Sequence, residues 1–229
     1  MFPINMPSKV SSHLYIMRLI AFTVAAIFTL VFALFDVFNS KVLLIVYAVC
    51  IIAFFLGYIF SQEPENTLSL TEEGIKYNHK YGSVFLPWSN IQRIGIPTTY
   101  DFLSQKELNY IGIKLKHSVQ HYESIPLRMA SRVLLEQREL QTLIVKENCG
   151  KGGCSFESFV DQIEWTDKSG NKFEGLVAMY ANRSELLSQY LGYHVFISGN
   201  AFHDEIDVVL NRLMSAKKLT NVHLNYRQP

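Results

Sequence analysis

The string CGKGGC, Cys149 to Cys154, sets two thiols five positions apart on a glycine-rich stretch. Glycines permit a tight path, so the two thiols can approach each other. Three states fit that spacing: a flexible loop with reduced thiols, a disulfide or redox-sensitive pair, and part of a metal site. A redox pair usually uses the tighter C-x-x-C spacing near a helix N-terminus, and a zinc site needs four ligands where this string supplies two. His79, His117, His121, His194 and His203 are available elsewhere, but none forms a spaced pair with these cysteines. The candidate thiol pair Cys149 and Cys154 therefore carries an alternative reading of the chain as a thiol-based redox or metal-responsive protein. Lys151 among Gly150, Gly152 and Gly153 lacks the G-x-x-x-x-G-K-[ST] order of a phosphate-binding loop. Cys50 lies inside an apolar run, where a thiol acts as a small hydrophobe.

Other chemistry-bearing residues read as structural. HDEID (His203 to Asp207) gathers three carboxylates, but they open an apolar-striped helix, where the helix dipole favours acidic side chains. No G-x-S-x-G string is present, so nothing marks a serine on a strained turn. No enzyme activity, metal or cofactor is expected.

The elements that would position these residues are legible in the patterning. From Thr67 to Pro97, EEG and KYG turn signals separate short stretches of β-branched and aromatic residues, which is the grammar of consecutive hairpins. YIGIKLKH (Tyr110 to His117) alternates Ile111, Ile113 and Leu115 with Gly112, Lys114 and Lys116, so a strand with one buried face is predicted. Ala130, Val133, Leu134, Leu140, Leu143 and Ile144 then recur at helical spacing. In the second half, IEWTDKSGNKFEG predicts a hairpin, LVAMYANRSELLSQYLG a helix ending at Gly192, and YHVFIS a strand. The last helix carries Asp204, Glu205 and Asp207 at its start and Lys217 and Lys218 near its end. An exposed sheet edge at Lys114 and Lys116, or the polar face bearing Glu205, Arg212 and Lys217, is the candidate partner surface.

Upstream lie two uncharged runs, Leu19 to Phe35 and Val42 to Phe60, of roughly 17 and 19 residues. At about 1.5 Å rise each would reach about 26 to 29 Å, close to the hydrocarbon thickness of a bilayer. DVFNSK (Asp36 to Lys41) separates them with turn chemistry at Asn39 and Ser40. The sequence therefore predicts a transmembrane hairpin over residues 19–60. Lys9, Arg18, Lys76 and Lys80 flank the pair while Lys41 alone lies between, so both termini are expected in the cytoplasm, with residues 1–18 as a cytoplasmic segment. From Asn66 onward there are 18 Lys plus Arg and 17 Asp plus Glu, a formal charge of 18 − 17 = +1. Nothing in such a balance suggests nucleic-acid binding, which would need a basic face or stripe.

LTEEGIKY…GSVFLPWSNIQRI, with Gly74, Ile75, Pro87, Trp88, Ser89, Ile91 and Ile94, resembles the start of bacterial pleckstrin-homology-like domains. The resemblance covers residues 66–147 and implies a sheet closed by a C-terminal helix, with the tryptophan and isoleucine of PWSNI packed inward. A hairpin, this module and a further α/β segment over 155–229 together also resemble an uncharacterised family of bacterial two-span inner-membrane proteins, which implies a fold and no activity. The expected class is α+β: a two-helix transmembrane hairpin, a pleckstrin-homology-like sheet and helix unit, and a smaller mixed α/β segment. The expected role is a membrane-anchored, non-catalytic binding or scaffolding protein with a membrane or cytoplasmic protein partner. An anionic-lipid-binding module is a further alternative, against which stand Glu63 and Glu65 next to the apolar run.

Overall fold

The computed structural model describes residues 3–9, 19–20, 22–27, 29–30, 40–60, 64–101, 104–149 and 160–226. Alternation builds the first sheet. In β1 (Ile4–Pro7), β2 (Asn66–Leu70), β3 (Gly74–His79) and β4 (Gly82–Pro87), the side chains of Met6, Leu68, Leu70, Ile75, Tyr77, Val84 and Leu86 are buried, while Lys76 and Phe85 face outward. The strands run antiparallel in the order β1-β2-β3-β4. At the end of β4, Pro87 leads into a 3-10 turn, Trp88–Asn90, that swings the chain to β5 (Ile91–Gly95). Trp88 is buried there and its indole N–H donates to the Thr71 carbonyl at 2.9 Å. Asn90 clamps the chain on the far side, donating to the His117 carbonyl and accepting from the His117 N–H, each at 2.8 Å.

β6 (Thr98–Asp101) and β7 (Ser104–Glu107) form a hairpin, and β8 (Tyr110–Leu115) returns antiparallel to β5. Three helices follow: α2 (Val119–Ser124), α3 (Leu127–Glu136) and α4 (Arg138–Cys149). A small hairpin of β9 (Glu164–Thr166) and β10 (Lys172–Glu174) precedes α5 (Gly175–Leu191), which ends on left-handed Gly192 at φ 83°. β11 (Val195–Ser198) then pairs with β8, and α6 (Ile206–Tyr226) closes the described chain. The second sheet thus has the order β11-β8-β5. Tyr193 lies flat against it, and a Cβ on Gly112 would come within 2.4 Å of the tyrosine ring, so only glycine fits there.

The helical stretch predicted from Ala130 to Ile144 is two helices. Gln137, at φ −82° and ψ 3°, breaks it. No glycine or proline stands at the break, and packing accounts for it. Ala130, Val133 and Leu134 join the main core with both sheets, α5 and α6, whereas Leu140 and Ile144 pack with Leu187, Leu191, Tyr193 and Phe196 in a second cluster. A straight helix would carry one apolar stripe, and here two stripes face two cores.

The fold is α+β, built on several small sheets. The predicted transmembrane hairpin is corrected: among the described residues no helix is long and apolar enough to cross a membrane. A span needs about 20 consecutive apolar helical residues. Within the first expected span the longest described helical run is residues 22–27. This region meets α1 (Ser40–Phe60) through an edge-to-face contact of Phe22 with Phe54 and a 2.5 Å hydrogen bond between the Thr29 and Tyr47 hydroxyls. The sheets that hold residues 66–147 also draw on strands outside that range: the second takes β11 from the C-terminal half, and the first takes β1 from residues 4–7.

Candidate functional site

The residues singled out from the sequence are placed as follows. Cys149 is the last residue of α4, and Cys154 lies outside the described residues, so the thiol pair does too. β8 runs between β11 and β5, which leaves no free sheet edge at Lys114 and Lys116. Lys114 Nζ donates to Ser188 Oγ at 3.0 Å, and Lys116 Nζ to the Ser89 carbonyl at 2.7 Å. Lys217 reaches from α6 to the carbonyls of Ile91 and Gln92 at 3.0 and 2.9 Å, covering the outer edge of β5. Partial burial, and then the nearby Lys116, lower its pKa. Arg212 pairs with Asp204 at 2.5 Å, and the Glu205 carbonyl accepts from the Val209 N–H. Among the described residues no group of three or more His, Cys, Asp or Glu could hold a metal ion.

Sequence reasoning missed a polar cluster where α2 crosses α5. Its helix, VQHYES, is too short to show a period. Ser118 Oγ and Tyr122 Oη donate to Glu185 Oε1 at 2.7 and 3.0 Å, and the Tyr122 hydroxyl lies 3.1 Å from Ser184 Oγ as well. His121 Nε2 meets the Tyr180 hydroxyl at 2.8 Å, and His194 Nε2 lies 3.7 Å from Glu185. Serine, histidine and glutamate stand close together, yet in the wrong order for nucleophilic catalysis. A triad places the imidazole between hydroxyl and carboxylate. Here the carboxylate lies between Ser118 and His194, and His194 Nδ1 already accepts the Leu115 N–H at 3.1 Å. Burial raises the pKa of Tyr122 and of Tyr180, the nearby Glu185 adding to it for Tyr122 and Tyr77 for Tyr180, so both phenols stay protonated.

His121 is buried with Nδ1 unpartnered, and burial, reinforced by His194, lowers its pKa to about 3. His194 is lowered as well, by burial first and by Lys114, against an opposing pull from Glu185. An unfolded histidine titrates near 6.5, so below that pH the unfolded chain takes up a proton that folded His121 refuses. The stability present above pH 6.5 should therefore fall as pH drops towards about 3, by on the order of 2 kcal/mol at pH 5 from His121 alone. Denaturant unfolding of the wild type and His121→Gln at pH 7, 6 and 5 checks this: the variant should lose about one proton of pH dependence, and equal slopes would contradict it.

The second candidate is open to solvent. On α3, Leu127, Ser131 and Leu135 stand four residues apart in one row, with Arg128 and Arg132 beside them. Tyr81, from the turn between β3 and β4, and Leu176, at the start of α5, wall a groove of about 540 Å³ around that row. Leu127 is 57% and Leu135 58% exposed. Behind the groove Arg132 Nε and Glu136 Oε1 pair at 3.2 Å, with His79 Nε2 3.4 Å from the same oxygen. Partial burial disfavours ionised Glu136, but bonds from His79 and Arg132 outweigh it and hold the carboxyl below its usual range.

Residues 68–218 match a family described as "Protein of unknown function (DUF2982)". The chain belongs to that family. Neither the curated proteins nor the solved structures give a match. The DUF2982 match runs from β2 into α6 and so takes in both the polar cluster and the groove.

Proposed function

We propose that this chain is a non-catalytic binding or scaffolding module that works at the bacterial inner membrane and holds a protein partner. The observation that carries the reading is the groove of Tyr81, Leu127, Leu135 and Leu176 with Arg128 and Arg132. Large apolar side chains gathered at the surface beside cations are a contact site more often than a passive surface. The polar cluster, by contrast, is a buried network in which Tyr122, Tyr180 and His121 are held neutral, and it supports the fold. Placement at the membrane is supported by the exposed apolar side chains of Leu44, Ile45, Val49, Ile52 and Phe55 within Ser40–Phe60, which a bilayer or a membrane protein would cover. A photoreactive residue at position 135, in native membranes, tests the reading: it should capture a discrete protein, and the same group at Arg212 should not.

A further inference from the structure

We infer that the groove on α3 takes an acidic amphipathic segment of the partner: a short helix with leucine-like side chains one turn apart and carboxylates beside them. The inference rests on the binding reading above and names the partner's chemistry. The row from Leu127 to Leu135 is about 12 Å long at helical rise, enough for about two turns of a docked helix. Helix-in-groove recognition uses anchors at such spacing.

Charge decides the partner's polar residues. The groove lining holds three leucines, the Tyr81 ring, the Ser131 hydroxyl and two guanidiniums, and no carboxylate. Arg132 is engaged by Glu136. Arg128 makes no hydrogen bond or ion pair among the described residues, so its planar fork of N–H donors is available, and a carboxylate matches that fork in bidentate geometry. A lipid headgroup surface would call for clusters of about four to eight basic residues, well beyond one free guanidinium. The two exposed leucines set the apolar half of the match, and Arg128 sets the charged half.

The test uses the full chain in a mild non-ionic detergent and two fluorescent 14-residue amphipathic peptides. One carries leucines a turn apart with glutamates between them, and the other has every glutamate replaced by lysine. Anisotropy titrations should show the acidic peptide binding at least tenfold tighter. Arg128→Glu should cut that preference at least tenfold, Arg128→Gln should give an intermediate loss, and Leu135→Asp should weaken both peptides. Equal binding of the two peptides, or a preference untouched by Arg128→Glu, overturns the inference. So does displacement of the acidic peptide by short-chain phosphatidylglycerol at lower concentration than by unlabelled peptide. If crosslinking from position 135 still captures a protein while the peptides bind equally, this inference fails and the binding reading stands. If position 135 captures nothing, that reading itself fails.

Discussion

Trp88→Ala should destabilise the folded chain by about 3 to 5 kcal/mol, the loss that follows removal of a large buried aromatic. Trp88 is 4% exposed, sits at the bend between the two sheets, and belongs to the main core. Its backbone N–H donates to the Glu73 carbonyl at 3.0 Å while the indole holds Thr71, so the ring fixes the turn after β2 as well as the start of β5. Alanine would leave a cavity at the sheet junction and an unpaired carbonyl at Thr71. Trp88→Phe keeps most of the bulk and loses the indole bond, so it should cost about 1 to 2 kcal/mol. Thermal unfolding should separate the two, with Trp88→Ala lowering Tm by on the order of 10 °C. An unchanged Tm in Trp88→Ala would mean that the bend does not depend on the ring.

Arg183→Met should cost a similar amount, about 3 to 5 kcal/mol, for an electrostatic reason. Arg183 lies buried on α5, with Nε 2.9 Å from Asp161 Oδ1, a second bond from Nη2 to Asp161 Oδ2, and Nη1 donating to the Leu134 carbonyl at 2.6 Å. It ties α5 to the end of α3 and to the chain before β9. Removing the cation leaves the Asp161 carboxylate, whose side chain is 12% exposed, without its partner. The double variant Arg183→Met with Asp161→Leu removes both charges and should recover more than half of the loss, because well-packed apolar residues can replace a buried ion pair. Denaturant unfolding of the singles and the double closes the cycle. A double variant no more stable than Arg183→Met would show that the arginine acts through Leu134 and packing alone.

The parts of this fold that were legible in the sequence are those whose signal is local. Alternation marked β8, turn residues marked the early hairpins, Gly192 marked the end of α5, and the bulk of Trp88 marked a core position. The parts that were not legible depend on distant partners. Ile4–Pro7 is too short to carry a period, and only the row of groups on β2, from Asn66 to Leu70, makes it a strand. YHVFIS read as a strand, but nothing local says that it pairs with Ile111 and Ile113 and so closes the edge that Lys114 and Lys116 were expected to present. The break at Gln137 has no sequence signal because it answers to two separate cores.

The candidate site was hidden for the same reason. Leu127 and Leu135 fall outside the apolar period of Ala130, Val133 and Leu134, and only folding shows that they line a groove walled by Tyr81 from one hairpin and Leu176 from another element. The pairing of Glu185 with Ser118 and Tyr122 links residues more than 60 positions apart, beyond any spacing rule. The apolar runs were legible in composition, yet the hairpin inferred from them depended on two uninterrupted spanning helices, and the described residues contain no helix that meets that requirement.

The most direct measurement of the central claim is the crosslink from position 135. With the photoreactive group there in otherwise wild-type chain, irradiation of native membranes should give one discrete adduct, lost when Tyr81→Ser and Leu127→Ser are added and unchanged by Ser118→Ala. The matched group at Arg212 should give none. An adduct from Arg212 and none from position 135 would contradict the account and move the contact to the polar face of the last helix.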